Sequence, residues 1–190
     1  MNPDLEKLKD SLSCVSYSGD RHTHIQIREA DALAKLKTLN IAAPNGDWFA
    51  FESDKGRGKA ALMSPLLSVG KIYDHHRACD AVIAVLKPDG LHLIFIDLKS
   101  NNPVGYAGQF QSTRQFAYYL LGLLKEFHSI VFEAIHERFI VFHTSKTKRV
   151  LLDKKPTVFR CASRSSSNPK EAQKEVIHDG ATLYLKQLLA

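Results

Sequence analysis

The sequence predicts an α/β protein with a mixed central sheet flanked by helices. Three observations carry this reading. Two runs rich in Val, Ile and Leu, "ACDAVIAVL" at 78–86 and "LHLIFIDLK" at 91–99, are separated only by "KPDG" and read as a strand pair. The stretch "YAGQFQSTRQFAYYLLGLLKEF" that follows is an amphipathic helix with Phe116, Leu120, Leu123 and Phe127 on its packing face. "RFIVFHT" then returns as another strand. A chain of 190 residues suits one well-buried domain spanning 1–190 and is short for two.

The elements follow in order. "MNPDLEKLKDSL" is charged and has no apolar signal core, so a secreted protein is not expected. "HTHIQIREADALAKLKTL" starts as an alternating strand and passes into a helical pattern over 29–39, with Leu33, Leu36 and Leu39 on one side. "APNG" breaks the chain, and "DWFAFES" reads as a strand. "DKGRGKAALMSPLLSVG" is a loop-rich insert with room for a short helix. In "KPDG", Pro and Asp suit the centre of a type I turn and Gly the position after it, which predicts a tight hairpin. Towards the end, "SRSSSNPKEAQKE" is a polar connection and "TLYLKQLL" packs back as helix or strand.

Composition narrows the partners. Nothing approaches the apolar length of a membrane span. Cys14, Cys79 and Cys161 are odd in number and far apart, which fits reduced thiols in a cytoplasmic protein. Lys plus Arg exceed Asp plus Glu by 26 to 20, a net charge of +6. The excess gathers in "KTKR" at 146–149, Lys154, Lys155, Arg160 and Arg164, and is compatible with a polyanionic partner or with plain solvated loops.

The chemistry centres on the end of the second apolar run. Residues two apart on a strand point the same way, so Asp97 and Lys99 share a face while Leu98 packs on the other. If Lys87 faces Gly90 across the turn, Asp80 lies directly opposite Asp97. Cross-strand Cβ atoms are then roughly 4.5–5.5 Å apart, and like charges so opposed are destabilising. A divalent cation offsets that repulsion, and magnesium favours carboxylate oxygens. A neighbouring lysine can position an attacking water and stabilise charge on a phosphate. A three-residue "PDG" loop with a glycine bulge would slip the register by one, so two pairings stay open.

Asp80, then Asp97-x-Lys99 at the end of the next strand, then a helix resembles the PD-(D/E)XK nuclease superfamily, whose core order is αβββαβ. Asp80 lacks the preceding proline of the motif's name. Gln115-x-x-x-Tyr119 in "QFAYY" is similar to the QxxxY element of the RecB-like branch, and "DLKSN" is similar in wording. The likeness covers 80–119, with the flanks matching by element order. Gln111, Gln115 and Tyr119 fall on one helical stripe. They can serve the site, or Gln115 and Tyr119 can simply satisfy each other.

The resemblance implies a restriction-endonuclease-like fold and hydrolysis of phosphodiester bonds in DNA with Mg²⁺ or Mn²⁺. It implies Asp80, Asp97 and the Leu98 carbonyl as metal ligands, Lys99 at the nucleophilic water, and Gln115 with Tyr119 in support. A further acidic ligand comes from Glu29, with Glu52 as the rival. A restriction-like or defence endonuclease, or the nuclease subunit of a complex, fits a stand-alone domain, with a protein partner or homodimer compatible. The competing reading is a catalytically inactive module of the same fold that binds nucleic acid or a partner protein.

Three lesser motifs carry less. "DHH" at 74–76 lacks the companion motifs of the phosphoesterases named for it, although its histidines precede Asp80 closely. His22 and His24 share a strand face but have no spaced partner ligands for zinc. "GRGK" at 56–59 has neither the glycine spacing nor the hydroxyl of a phosphate loop.

Overall fold

The two Val/Ile-rich runs form an antiparallel pair, β5 (Ala81–Lys87) and β6 (Gly90–Lys99), in register from Lys87↔Gly90 to Ala81↔Ile96. Every residue in this ladder pairs without a bulge, so the simpler of the two registers is the one adopted. Gly90 has φ +133° and a Cβ there would meet the Ala134 carbonyl oxygen at 2.5 Å. Only glycine suits both the backbone and the close approach. The computed structural model describes residues 1–29, 31–55, 62–64, 66–70, 74–101, 103–144 and 167–189.

The remaining elements are α1 (Pro3–Asp10), β1 (Val15–Ser18), β2 (His24–Arg28), β3 (Thr38–Ala42), β4 (Trp48–Phe51), α2 (Tyr106–His128), β7 (Ile135–His143), β8 (Gln173–Val176), β9 (Ala181–Tyr184) and α3 (Leu185–Leu188). The larger sheet runs β1-β4-β5-β6-β7-β8 and is mixed, since β7 is parallel to both β6 and β8 while the other neighbours are antiparallel. A smaller sheet runs β2-β3-β9.

Strand alternation divides the core between the two faces of the large sheet. On one face Val82, Ala84, Leu93, Phe95, Phe139 and Val141 pack against Leu5 and Leu8 of α1 and Phe110, Leu120 and Leu124 of α2. On the other, Ile83, Val85, Ile94, Ile96, Leu98 and Phe142 meet Ile25, Ile27, Leu39, Ile41 and Leu183 of the small sheet. Helices α1 and α2 therefore cover one face, while the other is covered mainly by the second sheet, with Leu185 and Leu188 of the short α3 packed beside it.

The helix expected over residues 29–39 does not form: Leu33 is 89% exposed, and β3 begins at Thr38. In "TLNIA" Leu39 and Ile41 are buried and the residues between them are not, a period of two that a window centred on the leucines misread. The packing face of α2 is also rotated. It runs Tyr106, Phe110, Thr113, Ala117, Leu120, Leu124, whereas Phe127 is 72% exposed. That stripe is continuous along the helix, while the one through Phe116 and Phe127 covers only its second half. "TLYLKQLL" is both strand and helix, β9 then α3, and part of the polar connection becomes edge strand β8. The basic clusters at 146–164, "GRGK" and Cys161 lie outside the described residues.

Candidate active site

The hairpin register carries straight to the site. Asp80 stands one residue before β5, on the side of Val82 and Ala84, and Asp97 lies on β6 on the side of Leu93 and Phe95. Both carboxylates thus belong to the face covered by α2, and Leu98 packs on the opposite face as expected. Asp80 Oδ2 accepts a hydrogen bond from the Leu98 amide at 2.6 Å. The N–H and C=O of one strand residue point to the same side, so the Leu98 carbonyl leaves β6 on the Asp80 side.

The charges are poorly compensated. Asp97 is fully buried, with the Lys99 ammonium at Oδ2, 2.8 Å away. Among the described residues, Asp97 Oδ1 has no hydrogen-bond partner. Burial pushes the Asp80 carboxyl up to about 8, the Asp97 charge adds to the rise, and the Leu98 amide works against it. Burial likewise raises Asp97 to about 6, opposed by Lys99. Glu29 raises both, so it is near enough to act on each.

Glu29 arrives from the smaller sheet, directly after β2, rather than from a helix. Its Oε1 accepts the Asp31 amide at 2.9 Å, and the loop it opens is tied to the end of β6 where the Lys35 amide donates to Ser100 Oγ at 2.6 Å. The rival Glu52 is engaged elsewhere: its Oε1 takes Ser16 Oγ at 2.7 Å and Lys55 Nζ at 2.6 Å.

Lys99 is held from the helix by Gln109. Its Nζ donates to Gln109 Oε1 at 2.8 Å, and Gln109 Nε2 donates to the Ala78 carbonyl at 3.0 Å. Two more residues of α2 fix the approach to Asp80. Ser112 Oγ donates to the His75 carbonyl at 2.6 Å, and the Cys79 amide donates to Thr113 Oγ1 at 3.0 Å. Ser53 Oγ completes the set by donating to the Cys79 carbonyl at 2.8 Å. The spacing 109, 112, 113 puts three polar groups on one flank of α2, a pattern readable in the sequence beside the Gln111, Gln115 and Tyr119 stripe.

Gln115 and Tyr119 do not reach this site. Both are exposed, Tyr119 by 63%, and neither bonds Lys99. With Gln111 they line a separate groove of about 690 Å³ that also borders Phe116, Leu67 and His75. The expected support of Lys99 by the QxxxY pair is thus supplied by Gln109 instead. The reason is helical phase, since six residues turn the side chain about 240° from that of Gln109. A cleft of about 520 Å³ opens beside Lys99 and Gln109, bordered by Asp54, His76 and Arg77. Of the "DHH" histidines, His76 accepts the Met63 amide at 3.3 Å through Nδ1 and His75 bonds the Ser68 carbonyl. Both tie the segment before Asp80 to residues 63 and 68. His22 and His24 bond locally to Ser18 and Thr23.

Asp80 and Asp97 beside Lys99, with Glu29 near enough to raise both and a buried Asp97 oxygen without a partner among the described residues, are the kind of oxygen donors a hard divalent cation takes. Asp80, Asp97, the Leu98 carbonyl and Glu29 would hold it. Comparison of the chain with known protein families, curated proteins and solved structures finds no match. Among the described residues, no helix is long and apolar enough to cross a membrane.

Proposed function

We propose that the protein is a Mg²⁺- or Mn²⁺-dependent nuclease that hydrolyses phosphodiester bonds in DNA, built on a restriction-endonuclease-like core. The observation that carries this is the juxtaposition of Asp80, Asp97 and Lys99 at one end of the β5–β6 hairpin, with Asp97 Oδ1 buried and, among the described residues, unpartnered. The order α1, β4, β5, β6, α2, β7 is similar to αβββαβ, and its sense, antiparallel through β6 and parallel at β7, supports the likeness.

A divalent ion held by Asp80, Asp97, the Leu98 carbonyl and Glu29 would lower the pKa of a coordinated water and offset charge on a scissile phosphate. The protein's own groups do the rest. Asp80 and Asp97 supply hard anionic donors, and the Leu98 amide fixes the orientation of Asp80. Lys99, pinned between Asp97 and Gln109, presents an ammonium at the cleft where it orients the nucleophile and stabilises negative charge on the phosphate. Arg77, which pairs with Asp74 at 2.8 Å, and Lys99 are basic side chains on the cleft wall, which Asp54 also lines.

The test is incubation of the purified chain with supercoiled plasmid, linear DNA and RNA in Mg²⁺, Mn²⁺ or chelator. Cleavage of DNA in metal, abolished by chelator and by Asp97→Ala, is the expected result. Cleavage that survives either treatment overturns the mechanism, and salt-sensitive binding without cleavage in any metal supports a non-catalytic module instead.

A further inference from the structure

At the opposite end of the same hairpin, Asp89, His92 and His136 bring three metal-ligating groups within 4.8 Å of one another. We infer that they form a second metal site, selective for zinc or a similar transition ion and distinct from the Asp80–Asp97 centre.

His92 and His136 are register partners on the parallel strands β6 and β7. Their rings stack with centroids 4.5 Å apart and planes 26° from parallel. Both Nε2 atoms converge on one residue: His92 Nε2 lies 3.0 Å from Asp89 Oδ1, and His136 Nε2 lies 3.0 Å from the Asp89 carbonyl oxygen. A carbonyl and a carboxylate can only accept, so each imidazole directs an Nε2–H at Asp89. A cation bound through Nε2 takes the place of each proton there, and in a neutral ring that proton moves to Nδ1, so both histidines would bind as the Nδ1–H tautomer.

The turn is held ready for this. Gly90 packs against the Ala134 carbonyl, and the Leu91 amide donates to that carbonyl at 2.9 Å, which sets Asp89 beside the start of β7. Lys87 pairs with Asp89 Oδ2 at 3.7 Å, so Oδ1 is the oxygen turned to the histidines. Zinc bonds of ~2.0–2.2 Å require the widest ligand separation to close by no more than about 1.5 Å. Asp89 is exposed on the turn and can rotate that far.

Two imidazoles with one carboxylate suit Zn²⁺, Co²⁺ or Ni²⁺ and not magnesium, which takes all-oxygen sets. With three protein ligands a fourth position remains for water or for a donor from another molecule. Such an ion would tie the hairpin turn to both parallel strands.

The test uses the chelator-stripped full chain, titrated calorimetrically with Zn²⁺ in excess Mg²⁺, with Co²⁺ absorption as a second reading. The expected result is one site per chain, a tetrahedral Co²⁺ spectrum, at least tenfold weaker binding in His136→Gln, and unchanged zinc binding in Asp97→Ala. His136 is exposed, so this variant keeps the fold. His92→Asn checks the half-buried ligand. No stoichiometric zinc binding, or binding equal in His136→Gln, overturns the proposal. Loss of zinc in Asp97→Ala assigns the ion to the other centre and overturns it as well.

Discussion

The Leu98 amide donates to the Asp80 carboxylate across 2.6 Å, so the residue between Asp97 and Lys99 also orients the acid on the neighbouring strand. Asp80 is thereby engaged through Oδ2, while Asp97 Oδ1 has no hydrogen-bond partner among the described residues. Asp97→Asn removes a ligand charge without changing shape. Cleavage in Mg²⁺ is expected to fall by at least about 10²–10³, the scale of losing a preorganised electrostatic group. Metal-free thermal stability should rise at neutral pH, because a buried, poorly compensated charge is gone. Initial rates on plasmid and a melting curve of the same preparation check both halves.

Gln109 gives a sharper test of how Lys99 is held. Gln109→Leu keeps the helix but removes both the acceptor for Lys99 and the donor to Ala78. A freer lysine is expected to lower kcat about tenfold or more, with a smaller change in KM, since a misplaced catalytic group costs orientation rather than binding. Gln115→Leu should leave kcat nearly unchanged. Equal or greater damage at Gln115 would put the functional stripe of α2 on the other side of the helix.

The sequence made the site more legible than its surroundings, and the reason is range. Asp80, Asp97 and Lys99 are linked by a two-residue turn and strict alternation, so counting along the hairpin suffices. Glu29 reaches them across layers, from just after β2 of a sheet whose third strand, β9, begins about 150 residues later at Ala181. No local pattern announces such a partner. The three leucines at 33, 36 and 39 mimic a helical stripe, yet strand pairing of Leu39, with Ile27 on one side and Ala181 on the other, makes the segment from Thr38 extended. Gln109 was masked by a motif-like neighbour, Gln115, because periodicity alone does not say which flank of α2 meets the hairpin.

The raised carboxyls imply a pH dependence with a defined sign. An unfolded aspartate titrates near ~3.9. Asp80 and Asp97 hold their protons up to about 8 and about 6 in the folded chain. Between these limits the folded state binds more protons, so stability falls as pH rises. Their contribution is complete below the unfolded value and lost as pH passes through the folded ones. Metal-free denaturation should therefore show stability declining from pH 4 to pH 8, with a flatter slope in Asp80→Asn. Saturating Mg²⁺ should reverse the trend, because the ion binds the deprotonated pair. Apparent metal affinity should climb by up to about tenfold per pH unit between 6 and 8, and more steeply below 6 where both carboxyls hold protons.

Two glycines of α2 separate packing from helix propensity. A Cβ on Gly122 meets nothing within 4 Å, whereas one on Gly108 would lie 2.7 Å from Asp74 Oδ2 and 3.0 Å from Asp74 Cβ. Gly122→Ala is expected to stabilise the protein by about 1 kcal/mol through reduced backbone freedom alone. Gly108→Ala gains the same propensity but must push Asp74 aside, and overpacking costs typically ~1–3 kcal/mol. Asp74 also pairs with Arg77 at 2.8 Å, so the shift should disturb the wall of the Lys99 cleft. Denaturant titration should place Gly122→Ala above the parent and Gly108→Ala at or below it. DNA affinity should weaken only in Gly108→Ala, and a stabilised Gly108→Ala with unchanged affinity would mean that the segment from Asp74 to Arg77 does not border the substrate.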